Sequence, residues 1–316
     1  FDLSGDRAII IGNGNVALDV ARMLLLGKER LATTDIADYA LEALSKSKIK
    51  EVLIVGRRGI KQAAFTLPEL LELEALEDIA IEFESADFSA LAYEDAIEDS
   101  NQLFRLKTFK KYADKIQSQR EKRLVFKFLA SPKSITASTS NSVAQVTFCQ
   151  NQLIAGEDGR LQAVSTDRLE AIDASLVIRA VGYRGQAISG LPFDDSRGLM
   201  PNINGRVTTE NNLIEPFTYV VGWLKRGPSG VLGTNKMCSK QTVNALLEDW
   251  QSGVLARSAI DDSSITDYLI EQHIQAVSTK AWKKIDAAEK SAGLTQGRPR
   301  VKITAYDKLL STALSS

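Results

Sequence analysis

The sequence predicts an α/β fold that begins with a β-α-β unit of parallel strands. Residues 8–11 and 52–55 form two short, continuous apolar runs, which is the composition of parallel strands buried on both faces. Between them, residues 16–26 carry apolar side chains at helical spacing, and a glycine-rich turn separates this helix from the first strand. This order of strand, turn, helix and strand places both strands in one sheet.

The same patterns predict the remaining elements. They are helices at 35–44, at 235–250 and from 265 onward, and strands at 124–129, 144–149 and 176–181. The helix at 35–44 lengthens the crossover between the first two strands. Glycine and proline are frequent after residue 185, so we place the main domain boundary there.

The composition argues against several classes of function. The 316 residues have a formal net charge of −1, so no overall field favours nucleic acid or a membrane surface, and no apolar run could span a bilayer. Cys149 and Cys238 lie far apart without CxxC or zinc spacing, and His273 is the only histidine, so no metal centre is expected. The two separate cysteines fit a reducing compartment, so we expect a cytoplasmic protein, or a mitochondrial-matrix protein in a eukaryote.

The turn between the first strand and the first helix has the pattern GxGxxA. The first glycine permits the sharp turn, the second lets the backbone approach a pyrophosphate, and the small alanine lets helix and strand pack closely. The anion would lie on the unpaired amides at the helix N-terminus. The pattern therefore predicts a Rossmann-like dinucleotide site, with an ordinary glycine-rich turn as the alternative. Its residues are Gly12, Asn13, Gly14, Asn15 and Val16.

Two arginines, Arg57 and Arg58, follow the second strand. NAD-specific folds commonly carry an acidic residue here, which accepts hydrogen bonds from the ribose hydroxyls. Guanidinium groups instead offer planar, permanently charged donors to a phosphate. The pair therefore favours NADP over NAD through its 2′-phosphate, and a solvated arginine pair is the alternative.

A third motif runs from Gly222 to Asn235 and contains four glycines; in it an apolar strand leads into Trp223, a turn and a helix. Such a turn can form a second anion site at a helix N-terminus, beside a possible stacking surface. The alternative for Trp223 is a plain core position.

These motifs belong to a series of strings that resembles one known family. In chain order they are IGNGNVALDVAR (11–22), VGRRG (55–59), QAAFT (62–66), SP (131–132), VGYRG (181–185), GLPFD (190–194), the 222–235 segment and GRPRV (297–301). The chain resembles adrenodoxin reductase and its bacterial relatives, the ferredoxin–NADP reductases. The strings occur in the family's order and extend across essentially the whole chain.

The resemblance implies an oxidoreductase that is a two-domain flavoprotein, in which an NADP domain is inserted into a split FAD domain. Residues 1–185 would be most of the Rossmann-like NADP-binding domain, and residues 186–316 the C-terminal part of the FAD-binding domain. The family's loop for the FAD pyrophosphate has no counterpart after Phe1, so we expect an N-terminally truncated chain that alone holds no stoichiometric FAD and is inactive. The implied reaction is hydride transfer between NADPH and FAD, followed by single-electron transfer to a ferredoxin-type iron–sulfur protein.

The resemblance also assigns roles to individual residues. Glu69 would contact the nicotinamide side of NADP, and Asp19 and Glu72 would be catalytic acidic groups near the nicotinamide; the alternative for these two is an acid at the start of a helix and a solvated glutamate. Gly230 would touch both cofactors. The residues expected to face FAD are Trp223, Gly230, Val231 and Leu232.

A basic segment from Arg105 to Arg123 follows an acidic segment from Glu69 to Asp99. The basic segment suggests where the protein partner binds. Its cations at three- and four-residue spacings would share a helix face, with Leu103, Leu106 and Ile116 on the other side. The resemblance implies that an acidic ferredoxin docks on such a surface, and a solvated helix face is the alternative. The candidate docking residues are Arg105, Lys107, Lys110, Lys111 and Lys115.

Two other functions are compatible with the residues. One is another FAD/NADPH reductase of the same superfamily, such as a thioredoxin reductase, although the absence of CxxC leaves no dithiol to receive electrons. The other is a non-catalytic NADPH-binding module.

Overall fold

The computed structural model describes most of the chain, which forms two compact units. The first unit combines Phe1–Val181 with Val277–Ser316, and the second is Gly182–Ala276. The described residues are 1–76, 78–89, 91–92, 99–115, 120–138, 142–157, 159–230, 232–255, 262–272 and 274–315. Among them, no helix has the length and apolar character needed to cross a membrane.

Among the described residues, eight strands form two sheets in the first unit. They are β1 (Arg7–Ile11), β2 (Glu51–Val55), β3 (Ile79–Glu84), β4 (Lys122–Lys127), β5 (Ala130–Ala137), β6 (Val143–Ala155), β7 (Leu161–Asp173) and β8 (Leu176–Arg179). The central sheet is parallel throughout, in the order β3-β4-β2-β1-β8. Ile9 on β1 pairs with Leu53 on β2 and with Val177 on β8, so the two strands of the predicted β-α-β unit are neighbours in one sheet.

One face of the parallel sheet is covered by helices. In chain order they are α1 (Asn15–Leu25), α2 (Lys28–Leu31), α3 (Asp38–Ser45), α4 (Leu67–Leu71) and α5 (Ser100–Ala113). Ile10, Ile54 and Phe126 on the strands pack with Leu18 of α1 and Phe109 of α5 in the main hydrophobic core. The burial of this apolar layer is the main source of the unit's stability.

The other face is covered by the antiparallel sheet β5-β6-β7. Ile9, Leu53 and Val125 point to this side, where they pack against Val146 and Phe148 of β6. The sequence predicted only part of β6 and neither β5 nor β7, because most side chains of β5 and β7 are exposed and lack a continuous apolar run. The first unit is therefore a three-layer structure of helices, parallel sheet and antiparallel sheet.

The ends of several predicted elements differ from the structure. The helix expected at 35–44 begins at Asp38, because the carbonyls of Thr34 and Ile36 accept hydrogen bonds from Arg298. The strand expected at 124–129 ends at Lys127, and Leu129 has a φ of 56°, which is incompatible with a strand. The strand expected at 176–181 ends at Arg179.

Two C-terminal helices, α9 (Thr279–Leu294) and α10 (Tyr306–Leu314), complete the first unit. The connection between them carries Arg298, whose side chain is almost fully buried and whose Nη1 lies 2.5 Å from the carboxylate of Asp38. This arginine ties the C-terminal segment to the start of α3.

The second unit contains a small antiparallel sheet and the longest helix that the structure describes. Its elements are β9 (Asn202–Ile203), β10 (Arg206–Thr208), β11 (Ile214–Tyr219), α6 (Trp223–Arg226), α7 (Leu232–Gln251) and α8 (Asp262–Glu271). Met200, Val207 and Val220 form its core. Arg206 on β10 reaches α7 with two hydrogen bonds to Asp249, of 2.7 and 2.8 Å. The helix predicted at 235–250 is α7, which begins three residues earlier.

Candidate functional site

The glycine-rich turn lies at the C-terminal end of β1, between the ends of β2 and β8. The Gly12 amide donates to the carbonyl of Val55 at 2.9 Å, and the Ala180 amide donates to the carbonyl of Ile11 at 2.7 Å. Gly12 has a φ of +115°, and a Cβ atom there would clash with the Ala180 carbonyl. Only glycine fits this position, which lies at the point where the strand order reverses and where ligands bind in open α/β sheets.

The N-terminus of α1 is open above this turn. Gly14 is the N-cap, no side chain caps the helix and no acidic residue lies in its first turn. A Cβ atom at Gly14 would meet no atom of the described residues within 4 Å, so these residues leave that position open. The first amides of a helix have no intrahelical acceptor, which leaves those of Asn15 and Val16 for an anion. The residues present fit a pyrophosphate.

The two asparagines hold a neighbouring loop, Asn15 through its side chain and Asn13 through its backbone carbonyl. Asn15 accepts a 2.7 Å hydrogen bond from the Thr66 amide and lies 3.3 Å from the Thr66 hydroxyl. Asn13 accepts from the Ala64 amide through its carbonyl, and its side chain packs against Gly56, where a Cβ atom would lie 2.6 Å from Asn13 Nδ2. An anion would therefore meet the backbone amides at the helix start, because the Asn15 side chain already binds Thr66 and the Asn13 side chain lies beside Gly56.

Arg57 and Arg58 follow β2 at the same edge of the sheet. Gly56 is buried, Arg57 is exposed and Arg58 is half-buried. Neither guanidinium has a hydrogen-bond or ion-pair partner within the described part of the chain. Two permanent charges without counter-charges, at the end of the strand beside β1, fit an incoming phosphate.

Three predicted acidic residues are brought together by a residue that the sequence analysis missed. Arg22 on α1 forms ion pairs with Asp19, with Glu69 at 3.2 Å and with Glu72. Its side chain is 18% exposed, whereas those of Asp19 and Glu72 are more than half exposed. The cluster holds three carboxylates and one guanidinium, so its formal charge is −2. The spacing of Asp19 and Arg22 was the one available signal for it.

In the second unit, Trp223 and Tyr183 form an aromatic pair. Their ring centroids lie 5.7 Å apart with an interplanar angle of 28°. Trp223 follows Gly222, which has a φ of +68°, and is 45% exposed. Trp223 is therefore not the plain core residue of the alternative interpretation, and Tyr183 is a partner that the sequence analysis did not identify. An exposed indole fits the stacking of a planar ring.

The loop from Gly227 to Gly230 is shaped by positive-φ glycines and by Arg226. Gly227 and Gly230 have φ values of +88° and +85°. The Arg226 guanidinium binds the carbonyl of Ser229 and the side chain of Asn235, which closes the loop against α7. Leu232 begins α7, whereas its side chain and the whole of Val231 lie outside the described residues.

The first part of the basic segment forms α5, as predicted, but the helix ends at Ala113, so Lys115 lies beyond the predicted helix face. Leu106 is buried and Leu103 is half-buried, while Ile116 lies outside the described residues. Arg105 donates to the carbonyls of Ala63 and Phe65 at 3.3 and 3.4 Å, so it holds the loop that precedes α4. Lys110 pairs with Asp114, and Lys111 pairs with Glu74 at 2.7 Å. Lys107, Lys111 and Lys115 remain exposed.

Together, the parallel sheet, the tight Gly12 turn and the uncapped N-terminus of α1 define a dinucleotide-binding α/β protein of the Rossmann class. No model of a known protein family matches the chain. The NADPH-ferredoxin reductase FprA of Mycobacterium tuberculosis is 42% identical over 319 residues, which cover 99% of this chain and 68% of that protein. The mitochondrial NADPH:adrenodoxin oxidoreductase of Arabidopsis thaliana is 36% identical over 98% of this chain and 67% of that protein.

The fold leads to the same relatives. The structure of Mycobacterium tuberculosis FprA in complex with NADPH matches with a TM-score of 0.90 and 42% identity, covering 99% of this chain and 69% of that one. The chain belongs to the NADPH-ferredoxin reductase family, a family of oxidoreductases that includes adrenodoxin reductase. The resemblance noted from the motifs is confirmed.

Proposed function

We propose that this chain binds NADPH and works in electron transfer between NADPH and a ferredoxin-type iron–sulfur protein through FAD. One observation carries the nucleotide part: an open helix N-terminus after Gly14 lies at the same sheet edge as Arg57 and Arg58, whose charges are unpaired among the described residues. The helix N-terminus supplies donors for the pyrophosphate. The arginines supply charge for the 2′-phosphate, which NADH lacks.

Within this site the chain's own residues have separate tasks. Gly12 fixes the turn, and the backbones of Asn13, Gly14, Asn15 and Val16 receive the pyrophosphate. Arg22 gathers Asp19, Glu69 and Glu72 into a cluster with an excess of negative charge. We assign this cluster to the nicotinamide end, where negative charge stabilises the positively charged ring of NADP⁺ more than the neutral ring of NADPH.

The second unit carries the residues that we assign to FAD. Bound FAD would accept two electrons with the hydride and release them one at a time. Trp223 offers an exposed ring face, and the positive-φ turn at Gly230 brings backbone, without a side chain, to the start of α7. Val231 and Leu232 complete this assignment. We further propose the domain boundaries 1–185 for the NADP-binding domain and 186–316 for the C-terminal part of the FAD-binding domain.

We place the ferredoxin on the exposed face of α5 and the residues just after it, at Lys107, Lys110, Lys111 and Lys115. These lysines keep their ammonium groups at the surface even where they pair, since the Lys111 side chain is 60% exposed in its pair with Glu74. Exposed charges act mainly on the rate of encounter with an acidic partner. Arg105 would contribute to the local potential while it holds the Ala63–Phe65 backbone.

Titration with NADPH and NADH tests the role that we propose for Arg57 and Arg58. In the double variant Arg57→Ala/Arg58→Ala, we expect the Kd for NADPH to rise at least about tenfold, since a hydrogen bond to a charged group contributes about 1.5–3 kcal/mol. The Kd for NADH should stay nearly unchanged. Equal losses for the two nucleotides would show that the arginines do not bind the 2′-phosphate. Retained NADPH binding without ferredoxin-dependent electron transfer in the flavin-loaded enzyme would instead indicate a non-catalytic nucleotide-binding module.

A further inference from the structure

A buried amide on the antiparallel sheet binds the arginine loop. Asn151 lies on β6 and is 3% exposed. Its Nδ2 donates to the carbonyl of Arg57 and to the hydroxyl of Ser131, both at 2.8 Å. Its Oδ1 accepts from the hydroxyl of Ser165 at 3.2 Å. Both ends of the amide are therefore satisfied, and its position is fixed from two strands.

This contact is one of three that hold successive carbonyls of the loop. The carbonyl of Gly56 accepts from the Ala130 amide at 3.2 Å, and that of Arg58 accepts from the Leu129 amide at 3.2 Å. The carbonyl of Arg57, between them, is held by the Asn151 side chain. Asn151 also donates its own amide to Leu129 at 2.7 Å, so it supports the second of these contacts as well.

The direction in which a side chain leaves the backbone depends on the orientation of the peptides on either side of it. The carbonyl of Arg57 belongs to the peptide that joins the two arginines. By fixing this peptide, Asn151 sets how the two guanidiniums diverge from the loop. A long, unpaired arginine loses much conformational freedom when it binds a phosphate, and a fixed backbone reduces the number of orientations that must be given up.

We propose that Asn151 is a positioning residue for selectivity toward the 2′-phosphate, acting through the Arg57–Arg58 peptide. This inference rests on the proposed function, in which the two arginines bind that phosphate. Removing the Asn151 side chain should weaken the binding only of those ligands that carry a 2′-phosphate. A purely structural role for Asn151 would affect all adenine nucleotides equally.

The test compares adenosine 2′,5′-bisphosphate with 5′-AMP, which differ only in the 2′-phosphate. In Asn151→Ala, we expect the Kd of the bisphosphate to rise about tenfold and the Kd of 5′-AMP to change less than about twofold, both measured by isothermal titration. Gln145→Ala is the matched control. It removes another side-chain amide from β6, which binds Asp173 at 2.8 Å and has no link to the arginines, and it should leave both affinities unchanged.

Adding Asn151→Ala to a protein that lacks both arginines distinguishes a positioning role of Asn151 from a structural one. In the Arg57→Ala/Arg58→Ala protein, the added Asn151→Ala change should have no further effect on the bisphosphate, because the groups that it positions are gone. A further loss in that background, or equal losses for the two ligands in the single variant, would overturn the inference. If Arg57→Ala/Arg58→Ala binds the bisphosphate as tightly as the native protein does, the proposed function itself is wrong.

Two further variants probe the same contact, and the milder one, Ser165→Ala, covers the case in which Asn151→Ala fails to fold. Asn151→Asp is nearly isosteric but places a carboxylate oxygen, an acceptor, against the Arg57 carbonyl, so we expect it to lose selectivity as Asn151→Ala does, at a larger cost in stability. Ser165→Ala releases Asn151 Oδ1 and leaves the Arg57 carbonyl bonded, so its smaller loss should again fall on the bisphosphate alone. Unchanged selectivity in Asn151→Asp would contradict the proposal.

Discussion

The guanidinium of Arg22 lies 3.2 Å from the carboxylate of Glu69 and so joins α1 to α4. The same guanidinium pairs with Asp19 and Glu72. One positive charge thus separates three carboxylates that would otherwise repel each other. Arg22→Gln should therefore lower the free energy of unfolding by about 1 kcal/mol in low salt, measured by urea denaturation.

The control for this prediction is Lys46→Gln, which removes an exposed pair between Glu42 of α3 and the residue that caps this helix, and it should cost less than about 0.5 kcal/mol. The excess loss in Arg22→Gln comes from carboxylate repulsion. It should shrink in about 1 M salt, where charges are screened beyond about 3 Å. Equal losses in the two variants at low salt would mean that Arg22 contributes no more than an ordinary surface pair.

The two glycines of the turn should respond differently to alanine. Gly12→Ala places a Cβ against the Ala180 carbonyl at a φ of +115°, so we expect it to destabilise the fold by at least about 2 kcal/mol. Gly14 has a φ of −103° and open space at its Cβ, so Gly14→Ala should change stability by less than about 1 kcal/mol.

Nucleotide binding should separate these variants further. The methyl group of Gly14→Ala would occupy the position that we assign to the pyrophosphate, so NADPH affinity should fall at least about tenfold in a protein with a near-normal Tm. Titration and thermal unfolding of the same preparation measure both quantities. Full NADPH affinity in Gly14→Ala would place the pyrophosphate away from this helix N-terminus.

The sequence predicted those features of the site that depend on neighbouring residues. Gly12 and Gly14 act within one turn, and Arg57 and Arg58 simply follow an apolar strand. Arg22 was missed because its partners Glu69 and Glu72 lie on another helix and the turn after it, about fifty positions away. A residue's partners in another layer cannot be inferred from local periodicity.

The antiparallel layer was missed for a related reason. Its strands β5 and β7 expose most of their side chains, so neither has the apolar run that marks a buried strand. Asn151, a buried polar residue on β6, was missed together with that layer. Its hydrogen bond to the Arg57 carbonyl joins residues 94 positions apart. Arg105 illustrates the converse, since a cation that appeared solvated in the sequence binds the carbonyls of Ala63 and Phe65.

Acid should weaken the link between β10 and α7. Hydrogen bonds from Arg206 and then Tyr219 hold the pKa of Asp249 below its usual value of 3.8. A carboxyl group with a lowered pKa stabilises the fold above the unfolded-state pKa, and this contribution is lost as the pH falls through the folded-state value. Between about pH 6 and about pH 3, the Tm of the native protein should therefore fall more than that of Asp249→Asn.

The same network predicts an effect of Tyr219. Burial and its hydrogen bond to Asp249, 2.6 Å long, raise the pKa of Tyr219 to about 12. Tyr219→Phe removes one of the two donors to Asp249, so its acid sensitivity should lie between those of the native protein and Asp249→Asn. An identical pH dependence in all three proteins would show that Asp249 does not contribute to acid unfolding.

The docking proposal predicts a salt-dependent loss of partner-linked activity. In the flavin-loaded enzyme, changing Lys107, Lys110 and Lys111 to Glu reverses the charge of the exposed face of α5. Ferredoxin-dependent reduction of cytochrome c should drop at least about tenfold at low salt, because steering by charge sets the encounter rate. The difference should diminish as salt is raised.

The choice of acceptor distinguishes docking from other causes. Reduction of a small neutral acceptor by NADPH needs the nucleotide site but not the protein partner, so it should be unaffected by the lysine changes. Lys46→Glu, at an exposed lysine of the same unit whose ion pair is with Glu42 of α3, controls for a single charge reversal elsewhere on the surface. If both activities fall together, α5 matters for folding or for NADPH, as the Arg105 contacts to the Ala63–Phe65 backbone would permit. If neither falls, the ferredoxin docks on another surface.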